Sequence, residues 1–237
     1  MNRYEEIVAL RQELKRPGQF RHHNIQLRMV MWHLTIHCSV FFKRLMDIVL
    51  SISAIIAGSP VFLITALLIK ITSPGPIIFS QVRVGKFGRH FKFYKFRSMY
   101  IDAEARKAEL LKHNESGDGV IFKMKKDPRI TPVGRFIRKF SIDELPQLFN
   151  VLLGDMSLVG PRPPLPSEVR TYTLEERKRL NITPGITCLW QVSGRSELPF
   201  SKQIALDKEY IASQSMWKDF LILLRTIPAI LTGKGAW

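Results

Sequence analysis

The sequence predicts a membrane-associated α/β protein, in which a helix that enters the membrane precedes a small mixed domain. Two observations lead to this fold class. The stretch from residue 48 to 69 contains no charged side chain; as a helix its 22 residues extend about 33 Å, enough for a bilayer core of roughly 30 Å. After it come a β-hairpin pattern and several helical patterns with apolar stripes.

The composition excludes several classes of protein. The 237 residues include 36 Lys and Arg against 20 Asp and Glu, a net charge of +16, and 46% of them are hydrophobic. Because the hydrophobic fraction is this high, the chain is not a disordered basic tail. Its two cysteines form no C-x-x-C and fit a reducing compartment. The positive charge is compatible with three classes of protein: a nucleic-acid binder, a protein on an anionic membrane, and an enzyme that acts on anionic substrates.

The uncharged segment predicts a helix that dips into the membrane and returns. Pro60 lacks a backbone N–H, so we expect a kink or break there, with Ser59 satisfying freed backbone groups. Each arm of about 11 residues then reaches only the bilayer midplane. Residues 1–47 carry eight Lys and Arg and residues 70–100 carry seven, so both flanks favour the cytoplasm. A spanning helix is the first alternative, and a buried soluble helix is the second.

The remaining elements are predicted from turn and capping signals. Residues 1–16 form an amphipathic helix that ends before Pro17-Gly18. Strands at 77–84 and 90–96 flank a Gly-Lys-Phe-Gly turn. Thr131-Pro132 and Ser141 each begin a helix. The full list of later predictions is helices at 102–113, 132–139, 141–154, 167–180, 198–213 and 217–231, with loops at 114–119 and 155–166.

Two acidic residues at a predicted helix start are candidate catalytic groups. Ser141 and Glu144 fit the capping-box spacing, and a structural role alone would explain them. Carboxylates in a first helical turn also tend to stay ionised. Basic side chains precede them at Arg135, Arg138 and Lys139. Asp143 and Glu144 in this setting suit a Mg²⁺ ion or a carboxylate nucleophile.

Arginines in constrained loops are candidate phosphate ligands. Pro161 and Pro163 fix the backbone around Arg162, which favours a bidentate phosphate contact, although a rigid connector would look the same. Arg195 after Gly194 gives a weaker signal of this kind. The sequence contains no P-loop, G-x-G-x-x-G, H-E-x-x-H or G-x-S-x-G pattern, which disfavours P-loop hydrolysis, Rossmann redox chemistry, zinc proteolysis and serine hydrolysis.

Eight short motifs occur in a fixed order along the chain. They are Lys43-Arg44-x-x-Asp47, Ser59-Pro60, Ser73-Pro74-Gly75-Pro76, Gln81-x-Arg83-x-Gly85, Lys95-Phe96-Arg97-Ser98-Met99, Asp143-Glu144-Leu145-Pro146-Gln147, Gly160-Pro161-Arg162-Pro163 and Pro184-Gly185-Ile186-Thr187. The set resembles the bacterial sugar transferase family. Within it, the chain is similar to the monotopic polyprenyl-phosphate phosphoglycosyl transferases that consist of the catalytic domain alone. The resemblance runs from about Phe41 to the C-terminus.

The resemblance implies a fold and an activity. The fold would be a re-entrant membrane helix kinked at Ser59-Pro60 with a small cytoplasmic α/β domain and interfacial amphipathic helices. The activity would be transfer of a sugar-1-phosphate from a UDP-sugar to undecaprenyl phosphate, releasing UMP, at the cytoplasmic face of the bacterial inner membrane. It would initiate exopolysaccharide, lipopolysaccharide or other glycoconjugate synthesis. The chain would divide into an extension at 1–40 of unknown role, a membrane hairpin at 41–72 and a catalytic domain at 73–237.

The resemblance also implies site residues and partners. Asp143 would be the nucleophile that forms a phosphosugar intermediate, Arg138 would lie nearby, and Glu144 would assist as a Mg²⁺ partner or a proton acceptor. Both carboxylates would hold the Mg²⁺. The expected substrate-binding residues are Lys95, Arg97, Gln147, Pro161, Arg162, Pro163 and Arg195. The partners would be the UDP-sugar, the polyprenyl phosphate and anionic membrane lipids, with a homo-oligomer left open.

Two other functions compete with this one. A nucleic-acid or lipid-surface binding module would use the basic residues together with stacking groups at Phe87, Phe91, Phe93, Tyr94 and Phe96. The apolar segment and the acid pair serve no purpose in such a module, so we expect no nucleic-acid partner. The third candidate is an anchored scaffold without catalysis, in which loss of the Asp143 carboxylate would be harmless.

Overall fold

The chain has a mixed α/β structure. A computed structural model describes residues 19–110, 124 and 127–233, and the chain divides into two compact units, 1–46 and 47–237. Three predicted features lie wholly or partly outside the described residues: the helix at 1–16, the loop at 114–119 and the end of the helix at 102–113.

The first element, α1, is a long helix from Gln19 to Thr72. Its part from Arg28 onward is the one helix in the described ranges that is long and apolar enough to cross a membrane. The helix continues through Pro60, so it does not break there, and the kink stays a prediction. A proline removes a single backbone hydrogen bond, and the neighbouring turns of α1 remain helical without it.

One face of α1 packs against the rest of the second unit, and the other faces are exposed. The packed side chains are spaced by three, four or seven residues, as one helical face requires: Asp47, Ser51, Ile55, Phe62, Thr65 and Ile69. The exposed faces carry large apolar side chains, which include Leu50, Ile56, Leu63, Ile64, Leu67 and Ile71. An exposed apolar surface of this extent is typical of membrane contact.

Both ends of the apolar segment are bonded to the same domain. At its start, the Asp47 carboxylate accepts a hydrogen bond from the Leu158 backbone N–H, 3.1 Å away. At its end, the buried Arg97 guanidinium donates to the carbonyl oxygens of Ser73 and Pro74, at 2.6 and 2.7 Å. The segment is therefore fastened at both ends to one body of protein.

The predicted hairpin is confirmed. Strands β1 (Ile78–Val84) and β2 (His90–Phe96) pair antiparallel in continuous register. The β2 side chains of Phe91, Phe93 and Phe96 are buried. Three of the five aromatic groups considered for nucleic-acid stacking are therefore used in the protein core.

Ten further α-helices and strands follow the hairpin in the described part of the chain. They are α2 (Ala103–Leu110), α3 (Pro132–Lys139), α4 (Gln147–Leu153), β3 (Ser157–Val159), α5 (Pro166–Thr171), α6 (Leu174–Arg177), β4 (Gly185–Thr187), α7 (Leu189–Ser193), α8 (Phe200–Ala212) and α9 (Met216–Thr232). The Thr131 cap of α3 is confirmed, because its hydroxyl accepts from the Gly134 N–H at 2.8 Å. The two last helices are also confirmed, within three residues at each end.

Three local predictions are wrong. Ser141 does not cap a helix: its φ is 55°, its side chain makes no capping bond, and a 3₁₀ turn at Ile142–Glu144 follows. The α-helix begins only after Pro146, whose missing N–H prevents an earlier start. The single helix predicted at 167–180 is divided into α5, α6 and a 3₁₀ turn. Strand β3 lies within the loop predicted at 155–166, and its parallel pairing with β4 was not predicted, because three-residue strands carry no periodicity.

The core places α4 beside β2. Buried side chains from β2, α4, β3, α8 and α9 form one cluster: Phe91, Phe93, Leu148, Val151, Met156, Val159, Tyr210 and Ile222. The fully buried Asn150 accepts from the Tyr94 N–H and donates to the Lys92 carbonyl, at 3.1 and 2.7 Å. This amide fastens α4 to β2, so that Lys95 faces the turn that carries the acid pair.

Candidate active site

The acid pair and two predicted cations lie within bonding distance of one another. Asp143 and Glu144 are consecutive residues of the 3₁₀ turn, and Asp143 is 6% exposed. Lys95 Nζ lies 3.3 Å from Asp143 Oδ2 and 2.6 Å from Glu144 Oε1. Arg162 Nη1 lies 3.3 Å from the same Glu144 oxygen. Three distant segments therefore meet at one site.

The pKa values of the two carboxylates are shifted in opposite directions. Burial raises the pKa of Asp143 above its ordinary value, and Lys95 opposes this only in part. Burial also acts on Glu144, but Lys95 and Arg162 outweigh it and bring that pKa down to about 2. We expected the start of a helix to keep both groups ionised, whereas burial dominates at Asp143. Glu144 stays charged at neutral pH, which suits a cation partner better than a proton acceptor.

Arg138 supplies a further positive charge beside Asp143. It projects from the last turn of α3, and its charge lowers the pKa of Asp143. Its Nη1 is buried, and no described residue accepts a hydrogen bond from it. A buried donor of this kind is costly unless it is satisfied, so Arg138 is available to an anionic ligand.

The loop that carries Arg162 is held through four consecutive carbonyl groups. The Pro161 oxygen accepts from the Gly185 N–H and the Pro164 oxygen from the Val84 N–H, at 2.9 and 3.0 Å. The Arg162 oxygen accepts from Arg179 at 3.2 Å, and the Pro163 oxygen from Arg83 at 3.1 Å. Pro161 and Pro163 are themselves buried. The prolines therefore fix the loop, and only the Arg162 side chain is presented to the acid pair.

Arg83 lies beside Arg162 at this site, although no role was predicted for it from the sequence. Burial and the nearby Arg162 lower its pKa to about 10, while Glu168 and Glu144 act in the opposite direction. Its Nη2 donates to Gln81 Oε1 at 3.0 Å. Two guanidinium groups this close repel each other, so an anion between them would relieve the repulsion. The signal was present in the Gln81-x-Arg83-x-Gly85 motif.

Two of the predicted substrate-binding residues, Arg97 and Gln147, have side chains that bond or pack within the protein. Arg97 uses its guanidinium on the carbonyls of Ser73 and Pro74 at the end of α1, because those carbonyls have no helical partner. Gln147 is 1% exposed, since it begins α4 on the face that packs into the core. Neither side chain is open to a substrate in this structure.

Asp143 and Glu144 are the residues that could hold a divalent cation together with a substrate. No group of three or more ligating His, Cys, Asp or Glu side chains occurs within the described ranges. Mg²⁺, however, is usually held by one or two carboxylates together with waters and substrate phosphates. The Lys95 ammonium is bonded to both Asp143 and Glu144, so one oxygen of each carboxylate can contact the same positive group.

The sequence profile of the bacterial sugar transferase family matches residues 38–233. The chain belongs to this family. Over 163 residues, 68% of the chain and 36% of the relative, it is 55% identical to the galactosyl transferase CpsE of Streptococcus agalactiae serotype III. Over 223 residues, 91% of the chain and 46% of the relative, it is 43% identical to the undecaprenyl-phosphate galactose phosphotransferase of Salmonella typhimurium.

A relative of similar length is also matched. The chain is 38% identical to the exopolysaccharide production protein ExoY of Sinorhizobium fredii over 198 residues, 82% of the chain and 88% of the relative. The chain spans less than half the length of the two other relatives. The matched family region contains the whole acid pair, the Arg162 loop and all four cations described above.

Proposed function

We propose that this family member transfers a sugar-1-phosphate from a UDP-sugar to undecaprenyl phosphate. The observation that carries the proposal is a buried acid pair, Asp143 and Glu144, bonded to Lys95 and Arg162. The Salmonella relative, named an undecaprenyl-phosphate galactose phosphotransferase, supports this substrate class. The ExoY relative supports a place in exopolysaccharide production.

Asp143 acts as the nucleophile in the first step. One of its carboxylate oxygens attacks the sugar-bearing phosphorus of the UDP-sugar, an O–P bond to Asp143 forms, and the bond to the UMP oxygen breaks. In the second step a phosphate oxygen of the lipid attacks the same phosphorus and the bond to Asp143 breaks. The products are UMP and the lipid diphosphate sugar, with the enzyme restored.

The surrounding cations make the first step feasible. A carboxylate that approaches a diphosphate meets like-charge repulsion, and fixed positive groups must offset it. Lys95, Arg162 and Arg138 lie next to the pair, and Arg83 lies next to Arg162. A Mg²⁺ ion held by Asp143 and Glu144 would neutralise further phosphate charge.

The proposal is tested by UMP release from a panel of UDP-sugars with undecaprenyl phosphate and Mg²⁺, in detergent or nanodiscs. Two of the matched relatives carry galactose in their names, so UDP-galactose is the first donor to examine, with UDP-glucose and UDP-N-acetylgalactosamine beside it. We expect UMP release with at least one UDP-sugar. Absence of UMP release with every donor would reject the proposal.

The pH profile tests the acidity of Asp143. The attacking carboxylate must be ionised, and burial raises the pKa of Asp143. We therefore expect the rate of UMP release to fall on the acid side at a higher pH than an ordinary aspartate would give. Lys95→Met should move this limb to still higher pH, because Lys95 is the largest influence that lowers the pKa. An acid limb unmoved in this variant would contradict the assignment.

We further propose that the chain is monotopic, on the cytoplasmic face of the bacterial inner membrane, with functional parts at 1–40, 41–72 and 73–237. The hydrogen bonds of one domain to Asp47 and to Ser73 support a segment that enters and leaves on one side. This re-entrant arrangement holds the site at headgroup depth, where the lipid phosphate lies, and the positive charge favours anionic lipids.

Sidedness is measured with single cysteines at positions 30 and 86 in a Cys38→Ser background, the buried Cys188 being left in place. We expect an impermeant maleimide to label both positions only from the cytoplasmic side of inverted and right-side-out vesicles. Labelling of the two positions from opposite sides would indicate a spanning helix.

A further inference from the structure

A cavity beside the acid pair is not used by the chemistry described above. Its volume is about 100 Å³. Glu144 and Arg195 are the two charged residues that line it. Six apolar side chains from α4 and its preceding turn, β4, α7 and α9 make up most of the rest: Leu145, Leu148, Ile186, Val192, Ala229 and Ile230.

The polar groups of this cavity favour an anion over a nucleobase. The Thr226 hydroxyl donates to the Ile222 carbonyl at 2.8 Å and lies 2.8 Å from the Thr187 hydroxyl, so these two groups satisfy each other. Gln191 Oε1 accepts from the Cys188 thiol. The Arg195 guanidinium differs, because its buried Nη1 has no acceptor among the described residues. One unsatisfied cation in an apolar wall suits a phosphate that carries an apolar chain.

The opposite face of α9 connects this cavity to a lipid environment. Large apolar side chains recur on that face every three or four residues and are exposed: Trp217, Phe220, Leu224, Ile227 and Leu231. Trp217, the most amphipathic of them, is 67% exposed, as expected at a membrane interface. Residues 226, 229 and 230 of the same helix line the cavity. The cavity is therefore one helix thickness from an apolar surface.

We infer that this cavity, between Arg195 and the apolar wall of α9, binds the phosphate end of the lipid acceptor. The inference rests on the proposed function and adds to it the place of the acceptor. Arg195 would hold the lipid phosphate, and Ala229 and Ile230 would contact the chain. Glu144 also lines the cavity and is the neighbour of Asp143, so this phosphate would lie near the nucleophile. The donor diphosphate would lie at the other cations, Lys95, Arg162 and Arg83.

The donor step and the acceptor step can be measured separately, which distinguishes a defect in acceptor binding from a defect in donor binding. Without acceptor, UMP release stops after one turnover and reports the donor step alone. We expect Ala229→Phe, which fills the cavity, to keep the size of this UMP burst and to raise the KM for undecaprenyl phosphate at least tenfold. Ala205→Phe, at an exposed alanine of α8, is the matched control and should change neither quantity. If Ala229→Phe lowers the melting temperature, Ala229→Leu replaces it.

A second measurement does not depend on turnover. Farnesyl phosphate with a diazirine on its second isoprene unit is photo-crosslinked to the wild-type protein in nanodiscs, and the adducts are mapped by mass spectrometry. We expect adducts on α9 between residues 223 and 231, lost in Ala229→Phe and in the presence of excess undecaprenyl phosphate but kept with UMP. Arg195→Met should weaken the labelling by farnesyl phosphate and not by farnesol.

Each adverse outcome has a distinct meaning. A UMP burst that disappears in a well-folded Ala229→Phe would assign the cavity to the nucleotide and overturn the inference while leaving the transferase proposal intact. Adducts confined to α1 would overturn it as well. If the wild-type protein releases no UMP from any donor, the transferase proposal fails, and the crosslinking pattern still decides whether the cavity binds a prenyl phosphate.

Discussion

Replacing Asp143 with Asn is expected to lower UMP release by about 10³-fold or more, because the amide cannot attack phosphorus and no neighbouring group replaces it. Burial already disfavours the charged form of Asp143, so the neutral side chain should not destabilise the fold. We therefore expect the melting temperature to stay within a few degrees of the wild-type value. Activity is followed as UMP formed in single-turnover and steady-state assays.

The matched control is Asp155→Asn, at the other end of α4, which should keep full activity. Glu144→Gln gives a second comparison: it removes a cation partner and not the nucleophile, so a phosphosugar adduct should still form, more slowly. Mass spectrometry of the quenched donor reaction should place a hexose phosphate on the peptide with Asp143. Equal UMP release by the wild-type protein and Asp143→Asn would exclude Asp143 as the nucleophile.

Replacing Arg179 with Met is expected to cause the largest loss of stability. Arg179 and Asp207 form an ion pair at 2.7 Å with both side chains buried, 6% and 1% exposed. Removing one partner of a buried pair costs about 3–5 kcal/mol, because it leaves an uncompensated charge. For a chain of this size the midpoint should fall by about 10 °C. Thermal unfolding in detergent measures it, with the exposed Arg170→Met as control.

The pH dependence identifies the cause of that loss. Burial raises the pKa of Asp207 to about 6, although Arg179 opposes the shift. Without Arg179 the folded-state pKa rises further, so the folded state binds the proton more tightly than the unfolded state does. Its stability then decreases as pH rises through that pKa. The variant should therefore lose more stability at pH 8 than at pH 5, and an equal loss at both would contradict the ion-pair explanation.

A double variant separates stability from catalysis. Arg179→Met combined with Asp207→Leu removes both charges, and buried pairs replaced by apolar side chains are often as stable as the original. The Arg162 carbonyl would still lack the donor that holds it at 3.2 Å. We expect recovery of the melting temperature with a raised KM for the UDP-sugar. Recovery of both quantities would show that Arg179 does not position Arg162.

The local structure was predictable where the signal lies in adjacent residues. The β-hairpin followed from the alternation at 77–84 and 90–96, and the α3 cap followed from Thr131-Pro132. The Ser141 capping box failed because the same spacing also fits a 3₁₀ turn, and Pro146 decided between them. Asp143 and Glu144 could be singled out as candidates, since adjacent carboxylates among basic residues are visible along the chain.

The sequence by itself determined the family, the long apolar helix, the hairpin and the acid pair, because each depends on residues close together in the chain. Only the tertiary structure decided how the cations are used. Arg97 and Arg162 look alike in the sequence, yet one caps the end of α1 and the other reaches Glu144. That difference arises from contacts between distant segments, where burial and competing hydrogen-bond acceptors fix the position and charge state of each side chain.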